Sequence, residues 1–456
     1  MARDVTDATP ISSRDELVAW IADGEKPAAE WRIGTEHEKV PFYRDGYGPV
    51  PYEGERGIRA LLDGLAGLNG WEPILEGGAP IGLADAAGGG AISLEPGGQF
   101  ELSGAPVATV HETADELARH LADTKRVADP LGIRFLTLGM SPRWSRADTP
   151  VMPKGRYRIM ARYMPTVGTR GLDMMFRTAT VQANLDFGSE ADMVKKLRVS
   201  LALQPIATAL FANSPFTDGR PNGFLSARGE IWRDTDRART GTLPFAFEDG
   251  MGYERYVDYA LDVPMYFVKR GDTYHDVAGS SFRDLLAGRH PALPGERATI
   301  ADWANHVSTI FPDVRLKRFL EMRGADNGPP AAIAALAAFW TGLLYDPTAL
   351  DAAWDVAKGW TADGRERLRD EAPRLGLRAT IGTRTARDVS REVVEIARAG
   401  LARRARTDAS GRDETRFLQP LVTIAETGWT AAESLLSRYR TEWGSSVDPV
   451  FETCVY

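Results

Sequence analysis

The feature that most constrains this chain is a pair of glutamates in a segment with the alternation of a β-strand. In W-R-I-G-T-E-H-E-K, residues 31–39, Glu36 and Glu38 are separated by His37. Successive side chains of a strand point to opposite faces, so both carboxylates lie on one face. Carboxylates that close together repel each other unless a cation lies between them. An exposed edge strand with two solvated glutamates is the alternative interpretation of this segment taken alone.

Three further segments repeat this pattern of polar side chains at alternate positions. They are A-I-S-L-E-P-G-G-Q-F-E-L-S (residues 91–103), T-A-T-V-Q-A-N-L-D-F (178–187) and R-L-K-R-F-L-E-M-R-G (315–324). Four such faces predict one sheet with a polar side and an apolar side that packs on helices, although ordinary antiparallel sheets also have one wet face. If the strand at residues 91–103 continues through its Pro-Gly-Gly, the polar side of the sheet carries Glu95, Gln99, Glu101, Gln182, Asn184, Asp186, Glu321 and Arg323.

The order of strand and helix signals predicts an α+β fold. Strand-like segments occupy residues 30–325, and the apolar spacing is helical from 329 to 456. With 43% hydrophobic and 26% charged residues, the 456-residue chain has the composition of a soluble globular protein. No internal repeat or linker divides it, so we predict a single domain over residues 1–456. Helices are predicted at 331–345, 349–357, 361–371, 386–402 and 430–440 in the second part.

Charge and cysteine content restrict the partners and the compartment. A net charge of -8 without a basic run argues against a nucleic-acid partner. One cysteine, Cys454, allows neither an intramolecular disulfide nor a cysteine-based zinc site. The N-terminal M-A-R-D-V-T-D lacks the apolar segment of a secretory signal, and the apolar stretch at 331–345 (about fifteen residues) is too short to span a bilayer. We therefore expect a cytoplasmic protein without a membrane partner.

The residue types on the polar faces indicate metal-dependent phosphate chemistry. Carboxylate and amide oxygens suit Mg²⁺ or Mn²⁺, and divalent ions beside arginines are typical of phosphoryl transfer. The chain has no G-x-x-x-x-G-K-[ST] motif and no G-x-G-x-x-G after a strand. A nucleotide would therefore bind to metal ions and a sheet face rather than to a glycine-rich loop. Zinc is disfavoured because His37 faces away from the glutamates.

Five segments together resemble glutamate–cysteine ligase of the plant and proteobacterial type. They are I-G-T-E-H-E-K, S-L-E-P-G-G-Q-F-E-L-S-G-A-P, T-V-Q-A-N-L-D-F, W-R-D-T-D-R-A-R-T-G and L-E-M-R-G-A-D, and they span residues 33–326. The resemblance implies a glutamine-synthetase-like fold, a curved and mainly antiparallel sheet that forms a funnel with helices outside. It also implies that ATP, L-glutamate and L-cysteine give γ-glutamylcysteine, ADP and phosphate through a γ-glutamyl phosphate, the first step of glutathione synthesis.

The resemblance also implies roles for individual residues. Glu38, Glu95 and Glu101 would hold one Mg²⁺, and Glu36 and Glu321 a second, in a set of two or three ions that Mn²⁺ could replace. Arg323 would lie against the transferred phosphate, and Arg239 would clamp a substrate carboxylate, with an ion pair to Asp234 or Asp236 as the alternative for Arg239. The remaining predicted site residues are Lys154 for catalysis and Gln99, Gln182, Asn184 and Arg158 for substrate or ATP binding; a solvated basic face is the alternative for Lys154 and Arg158.

Three other functions stay open at this point. A ligase on the same scaffold with another amine acceptor or thiol pathway would share the metal and phosphate residues. A two-metal phosphohydrolase would release ADP without an amino acid, and a catalytically silent nucleotide-binding protein would leave clustered carboxylates without a counter-ion.

Plant members use cysteines for redox control, and a chain with Cys454 alone has no intramolecular disulfide switch. We expect a monomer or a homodimer.

Overall fold

A computed structural model describes residues 5–456; the first four residues, part of the N-terminal segment interpreted above, lie outside it. Within the described residues, nine strands form one mainly antiparallel sheet in the order β8-β9-β7-β1-β5-β4-β3-β2, and β6 pairs with the end of β1. The strands are β1 (Ile33–Tyr43), β2 (Glu72–Glu76), β3 (Ala79–Ala84), β4 (Ala91–Leu94), β5 (Phe100–Ser103), β6 (Ile133–Leu136), β7 (Thr180–Leu185), β8 (Val314–Leu316) and β9 (Leu320–Asp326).

Helices surround this sheet and make up most of the C-terminal part. They are α1 (Arg14–Ala22), α2 (Ile58–Asn69), α3 (Val110–Ala128), α4 (Gly155–Tyr163), α5 (Gly171–Arg177), α6 (Glu190–Leu210), α7 (Ala227–Ile231), α8 (Tyr253–Asp262), α9 (Phe282–Leu286), α10 (Ile300–Ser308), α11 (Pro330–Leu344), α12 (Pro347–Ala357), α13 (Ala362–Leu375), α14 (Ala386–Arg404), α15 (Gln419–Thr427), α16 (Ala431–Thr441) and α17 (Val450–Thr453).

Short elements complete the fold. Single turns of 3₁₀-helix occur at Ala28–Glu30, Met164–Thr166, Trp232–Asp234, Pro244–Phe247, Gly376–Arg378 and Glu414–Leu418. Two-residue or four-residue strands pair as Phe216–Thr217 with Arg220–Pro221, Thr240–Gly241 with Phe311–Pro312, Phe267–Arg270 with Thr273–Asp276, and Thr380–Ile381 with Arg384–Thr385. The segment W-R-D-T-D-R-A-R-T-G thus begins in a helical turn and ends in a short strand with a parallel partner.

The alternation predicted for the central strands is present. Ile33, Val181 and Ala183 point to a core shared with α6 and α11, whereas Glu36 and Gln182 point to the opposite face. Because β1 and β7 are neighbours in the sheet, their alternating residues bury one continuous apolar face.

The five predicted C-terminal helices correspond to α11–α14 and α16, whereas α15 was not predicted. The single-domain interpretation stays a prediction.

Small residues allow the C-terminal helices to pack closely on each other. A Cβ on Gly342 of α11 would overlap the backbone of Ala397 in α14, and a Cβ on Gly400 would overlap the carbonyl of Gly342. Within residues 5–456 no single helix meets the length and hydropathy of a membrane span. The pair α11 and α12 meets them only together, across a bend of 92°.

Two segments predicted as single strands are hairpins. Pro96, Gly97 and Gly98 form a tight turn between β4 and β5, closed by the hydrogen bond from the N–H of Gly98 to the carbonyl of Glu95 at 2.9 Å. Gly98 has φ +87°, which favours glycine. Residues 315–324 likewise fold back between β8 and β9, so that Arg315 lies opposite Glu321. Neither turn changes the alternation that places the acidic residues on the polar face.

Candidate active site

The polar face of the sheet lines a cavity of about 820 Å³, including the part open to solvent, which we call the sheet cavity. Carboxylates from β1, the β4–β5 turn and β5 line it together with arginines from α4, α7, β8 and β9. Seven of the residues predicted from the sequence line it: Glu36, Glu38, Glu95, Gln99, Glu101, Gln182 and Arg323. The structure therefore brings together, from four separate segments, most of what the alternating pattern singled out.

The sheet register brings the polar residues of neighbouring strands together. Glu38 of β1 is directly opposite Glu101 of β5, and Glu36 is directly opposite Gln182 of β7. Directly opposed side chains on one face of a sheet are close neighbours, and opposed like charges are destabilising. The carboxylates of Glu38 and Glu101 therefore repel each other in the folded protein.

Burial and repulsion act together on Glu38 and Glu36. Burial, with the nearby charges of Glu95 and Glu101, raises the pKa of Glu38 well above its usual range, although the backbone N–H of Thr180 donates to its Oε2 at 3.0 Å. Burial, followed by the charges of Glu321 and Glu101, also raises the pKa of Glu36. Both shifts mean that burial and the neighbouring carboxylates outweigh the nearby positive charges, Arg228 for Glu38 and Lys317 for Glu36.

Glu321 lies in the opposite electrostatic environment. It is fully buried, and its carboxylate accepts from Arg315 Nη2 at 2.7 Å and from Lys317 Nζ at 2.8 Å and also contacts Arg323 Nη1. Burial raises its pKa, but the three cations outweigh burial and hold the pKa well below its usual range. With its oxygens taken by these three side chains, Glu321 does not fit the predicted second metal site.

A β-bulge directs Arg323 into the cavity. The register between β9 and β7 shifts between Met322 and Ala325, so Arg323 and Gly324 together lie opposite one residue of β7, Gln182. Arg323 Nη1 donates to Gln182 Oε1 at 2.6 Å. The bulge loses ladder hydrogen bonds, and side chains replace them: Arg228 Nη2 donates to the carbonyl of Arg323 at 2.7 Å, and Thr208 Oγ1 donates to that of Gly324 at 3.0 Å.

Arg239 is not a substrate clamp in this structure. Its guanidinium is fully buried, and its Nε donates to Asp236 Oδ2 at 2.6 Å. The other nitrogens donate to the carbonyls of Thr309 and Pro264, at 3.0 and 2.7 Å. Arg239 thus ties together three segments of the fold, and the ion pair with Asp236 that was its alternative is present, though buried rather than at the surface.

Of the three basic residues Lys154, Arg156 and Arg158, only Arg156 lines the sheet cavity. Lys154 is buried and its Nζ donates to the carbonyl of Leu94 at 3.1 Å, so it fixes α4 to β4. Arg158 is exposed and is not part of the cavity lining. On a helix, Arg156 and Arg158 point about 200° apart, and it is Arg156 that lines the cavity.

Two predicted amides have supporting contacts. Gln99 Nε2 donates to the carbonyls of Met175 and Thr178, at 3.2 and 2.8 Å, so its amide fixes α5 beside the β4–β5 turn. Asn184 Nδ2 donates to Glu36 Oε1 at 2.8 Å and Asn184 is outside the cavity lining. Gln99 therefore borders the cavity with its amide hydrogen-bonded to the backbone. Asn184 contributes to the cavity by holding Glu36 in place.

Sequence reasoning missed several residues that line the cavity. The most important are two buried arginines, Arg228 of α7 and Arg315 of β8. Arg315 could have been found by recognising the hairpin, since that places it opposite Glu321. Arg228 lies in a helix of five residues, which is too short for a periodic signal, and nothing in its local sequence marks it. The aromatic and sulfur-containing side chains that were also missed are Tyr157, Met160, Met174, Met175, Trp232 and Phe311.

Carboxylates at one end of the cavity fit a divalent cation by their chemistry. Glu38, Glu95 and Glu101 line the same wall, and the raised pKa of Glu38 reports uncompensated negative charge. In the part of the chain that the structure describes, no group of three or more Asp, Glu, His or Cys is already arranged as a metal site. The donor set thus fits a cation at this wall, whereas the pairing of Glu36 with Glu321 does not.

The chain matches one protein family along nearly its whole length. The family model for glutamate-cysteine ligase family 2 (GCS2) matches residues 32–453. The chain is 54% identical over 452 residues to glutamate–cysteine ligase, chloroplastic, of Nicotiana tabacum, covering 99% of this chain and 84% of that protein. The corresponding protein of Arabidopsis thaliana is 54% identical over 449 residues, with 98% and 84% covered.

A solved structure supports the fold. Glutamate–cysteine ligase from Francisella tularensis, in complex with AMP, has a TM-score of 0.56 and 12% identity, covering 93% of this chain and 87% of that one. At this identity the likeness concerns the fold. The predicted α+β, glutamine-synthetase-like architecture, with its helical C-terminal part, is confirmed.

One prediction is wrong on these comparisons. We expected a cytoplasmic location, but the relatives from N. tabacum, A. thaliana and Brassica juncea are named chloroplastic. The expectation rested on a single cysteine and on the absence of a secretory signal, and neither feature distinguishes the cytoplasm from another reducing compartment. The predicted family is confirmed: the chain belongs to the glutamate-cysteine ligases of family 2.

Proposed function

We propose that the sheet cavity joins the γ-carboxylate of L-glutamate to the amine of L-cysteine at the expense of ATP. The observation that carries this proposal is that one cavity is lined both by carboxylates, among them Glu38 and Glu101, and by the arginines Arg228, Arg315 and Arg323. The first suits a cation that accompanies nucleotide phosphates, and the second suits the phosphoryl group that is transferred.

The reaction needs no covalent nucleophile from the protein. A γ-carboxylate oxygen of glutamate attacks the γ-phosphorus of ATP, and the bond to the ADP oxygen breaks. The neutral amine of cysteine then attacks the acyl carbon of the γ-glutamyl phosphate. The amide forms, and phosphate leaves with the proton that the nitrogen loses. Both steps develop negative charge on phosphoryl oxygens, so positioning and electrostatic stabilisation carry the catalysis.

Arg323 is our candidate for contact with the transferred phosphoryl group. Its guanidinium is held on one side by Gln182 and Glu321, and the bulge of β9 turns it toward the cavity. Glu321 contributes through its neighbours, because it holds Arg315 and Arg323 as a rigid pair of cations. Donors that are fixed before the reaction cost no reorganisation when charge develops.

Glu38, Glu95 and Glu101 are the residues proposed to hold a divalent cation, Mg²⁺ or Mn²⁺. When bound, such an ion offsets the charge of the nucleotide phosphates. The three side chains come from β1, the β4–β5 turn and β5, and the charges of Glu95 and Glu101 both act on Glu38. The raised pKa of Glu38 implies that the ion binds more tightly as the pH rises, because this carboxyl must lose its proton first.

The test is ADP release by the purified protein with Mg²⁺-ATP. We expect strong stimulation by glutamate with cysteine, little by glutamate alone, and γ-glutamylcysteine among the products by mass spectrometry. Stimulation by a different amine would keep the cavity and the mechanism and change the acceptor. ADP release that is indifferent to amino acids would overturn the ligase and favour a phosphohydrolase.

A further inference from the structure

A second cavity adjoins the sheet cavity across a shared wall. Arg228, Trp232 and Arg323 line both, and the second one, which we call the rear cavity, has a volume of about 460 Å³ including the part open to solvent. It lies beneath the bulge of β9, between α6, α7 and α13. The chemistry proposed above takes place on the other side of the wall and does not use it.

An unpartnered buried amide lines the rear cavity. Gln204 of α6 is 2% exposed, and within residues 5–456 neither its Nε2 nor its Oε1 has a hydrogen-bond partner. The amide packs against Gly324, where a Cβ would overlap Nε2, so the glycine of the bulge makes room for it. Buried polar groups are almost always satisfied by protein, water or a ligand. Gln204 therefore presents free donors to the rear cavity.

Other donors around the rear cavity are also unsatisfied, and its charge is positive. Arg228 Nε and Trp232 Nε1 are buried, and the described chain offers them no partner. The positive charge of Arg369 is compensated by Asp313, whose Oδ2 lies 2.8 Å from Arg369 Nε. Arg228 forms no salt bridge with any described residue. Its Nη2 donates to the backbone carbonyl of Arg323, and the carboxylates of Asp326 and Glu38 act on it only through their charge. Unpartnered N–H donors beside a buried guanidinium favour an oxyanion.

We propose that the rear cavity binds a small tetrahedral oxyanion of the phosphate class, held by Gln204, Arg228 and Trp232. The donors come from α6, from α7 and from the 3₁₀ turn Trp232–Asp234 that follows α7. The inference rests on the proposed function for the source of the ion, since the second chemical step releases inorganic phosphate next to the shared wall. The rear cavity is then a product site that phosphate reaches past Arg228 and Arg323.

The test is phosphate binding when the sheet cavity is already full. Inorganic phosphate is titrated calorimetrically into the full chain with Mg²⁺, glutamate and a non-hydrolysable ATP analogue at saturation. We expect binding to persist, and Gln204→Met, which keeps the length of the side chain and removes its polar atoms, to weaken it about ten-fold or more. Sulfate should compete with phosphate for this site, and acetate should not.

Ser200→Ala is the matched control. Ser200 lies one turn earlier on α6, is equally buried and also has an unpartnered polar atom among the described residues, but it does not line the rear cavity. Phosphate affinity should be unchanged in this variant. If Gln204→Met fails to fold, Gln204→Glu provides the second variant, because a carboxylate there should abolish binding by repulsion.

Steady-state kinetics separate this inference from the proposed function. Phosphate should inhibit the wild-type ligase non-competitively with ATP, and Gln204→Met should relieve this inhibition while the KM for ATP stays within two-fold. The rear site would be overturned, and the proposed function would stand, if phosphate no longer bound once the sheet cavity is filled. The same conclusion would follow if Gln204→Met bound phosphate with the affinity of the wild type. Phosphate binding that persists in a protein without ligase activity would overturn the proposed function and leave the rear site standing.

Discussion

Glu38 and Glu321 look equivalent in the sequence and are opposites in the structure. Each is a glutamate on the polar face of a central strand, and each was predicted to bind metal. Glu38 is opposed by Glu101 and has a raised pKa. Glu321 is surrounded by Arg315, Lys317 and Arg323 and has a lowered one. Alternation fixes the face on which a carboxylate lies, and the neighbouring strands decide whether the protein or a ligand neutralises it.

The difference divides the sheet cavity into two functional parts. Around Glu38 the protein leaves negative charge uncompensated, which stabilises a bound cation and destabilises the protein without one. Around Glu321 the protein supplies its own cations and fixes them for contact with an anionic ligand. A substitution that removes the carboxylate should therefore have opposite effects on stability at the two positions.

The largest expected effect is on stability in Glu321→Gln. Removing one partner from a buried ion-pair network leaves Arg315 and Lys317 buried without a counter-ion, which costs about 3–5 kcal/mol. The measurement is the shift of the urea midpoint without nucleotide or metal, with Glu38→Gln as the control that should lose nothing. A midpoint within error of the wild-type value for Glu321→Gln would show that the network is not what stabilises this end of the sheet.

The next effect is on turnover in Glu38→Gln. The neutral amide removes the repulsion with Glu101 and weakens cation binding, so we expect the folded protein to remain and kcat to fall about 100-fold to 1000-fold. Thermal unfolding with added Mg²⁺ gives an independent reading, since the ion should raise the Tm of the wild type and leave that of the variant unchanged. Near-normal activity would contradict the assignment of Glu38 as a ligand.

A smaller loss is expected for Arg323→Met, which tests the other wall of the cavity. Arg323 is proposed to act on charge that develops in the transition state, so kcat should fall about 100-fold while the KM for ATP changes little. Initial rates with varied ATP, at saturating glutamate and cysteine, separate the two parameters. Equal losses in binding and turnover would mean that Arg323 holds ATP in the ground state.

The pH dependence of stability should also have opposite signs at the two glutamates. The pKa of Glu38 is raised on folding, so its group destabilises the folded state increasingly as the pH rises from about 4.3 toward the folded pKa. The pKa of Glu321 is lowered, so its contribution is fully present above about 4.3 and is lost as the pH falls through the folded pKa.

Urea midpoints of metal-free protein at several pH values between 4 and 7 measure these trends. Glu38→Gln should become more stable relative to the wild type as the pH rises, whereas the deficit of Glu321→Gln should be constant above about pH 5 and shrink as the pH falls toward 4. Parallel curves for the two variants would contradict the electrostatic contrast between the two ends of the cavity.

The sequence predicts the strands of the cavity well because alternation is a local property. Residues such as Glu36 and Gln182 fall on the polar face whatever the order of the strands. What the sequence does not specify is which strands become neighbours. The hairpin that places Arg315 opposite Glu321 and the helix that brings Arg228 to the bulge are products of tertiary packing. The compensating cations of Glu321 could not be assigned for that reason.

Residues outside the strands were predicted less well for a related physical reason. Arg239 belongs to a segment of irregular structure, where no periodicity shows whether a guanidinium faces a ligand or the core. Its three contacts, to Asp236, Thr309 and Pro264, come from positions up to 70 residues away in the chain. Long-range contacts of this kind are visible only in the folded protein.

The smallest expected effect tests the choice between two arginines of α4. Arg158 was predicted to bind substrate, but it is exposed and outside the sheet cavity, whereas Arg156 lines it. Arg158→Ala should change the free energy of unfolding by less than about 0.5 kcal/mol and leave kcat/KM near the wild-type value. Arg156→Ala is the matched variant, on the same helix and with the same loss of charge, and it should raise the KM for a substrate. A large loss of activity in Arg158→Ala alone would show that α4 turns its other face to the ligand when the cavity fills.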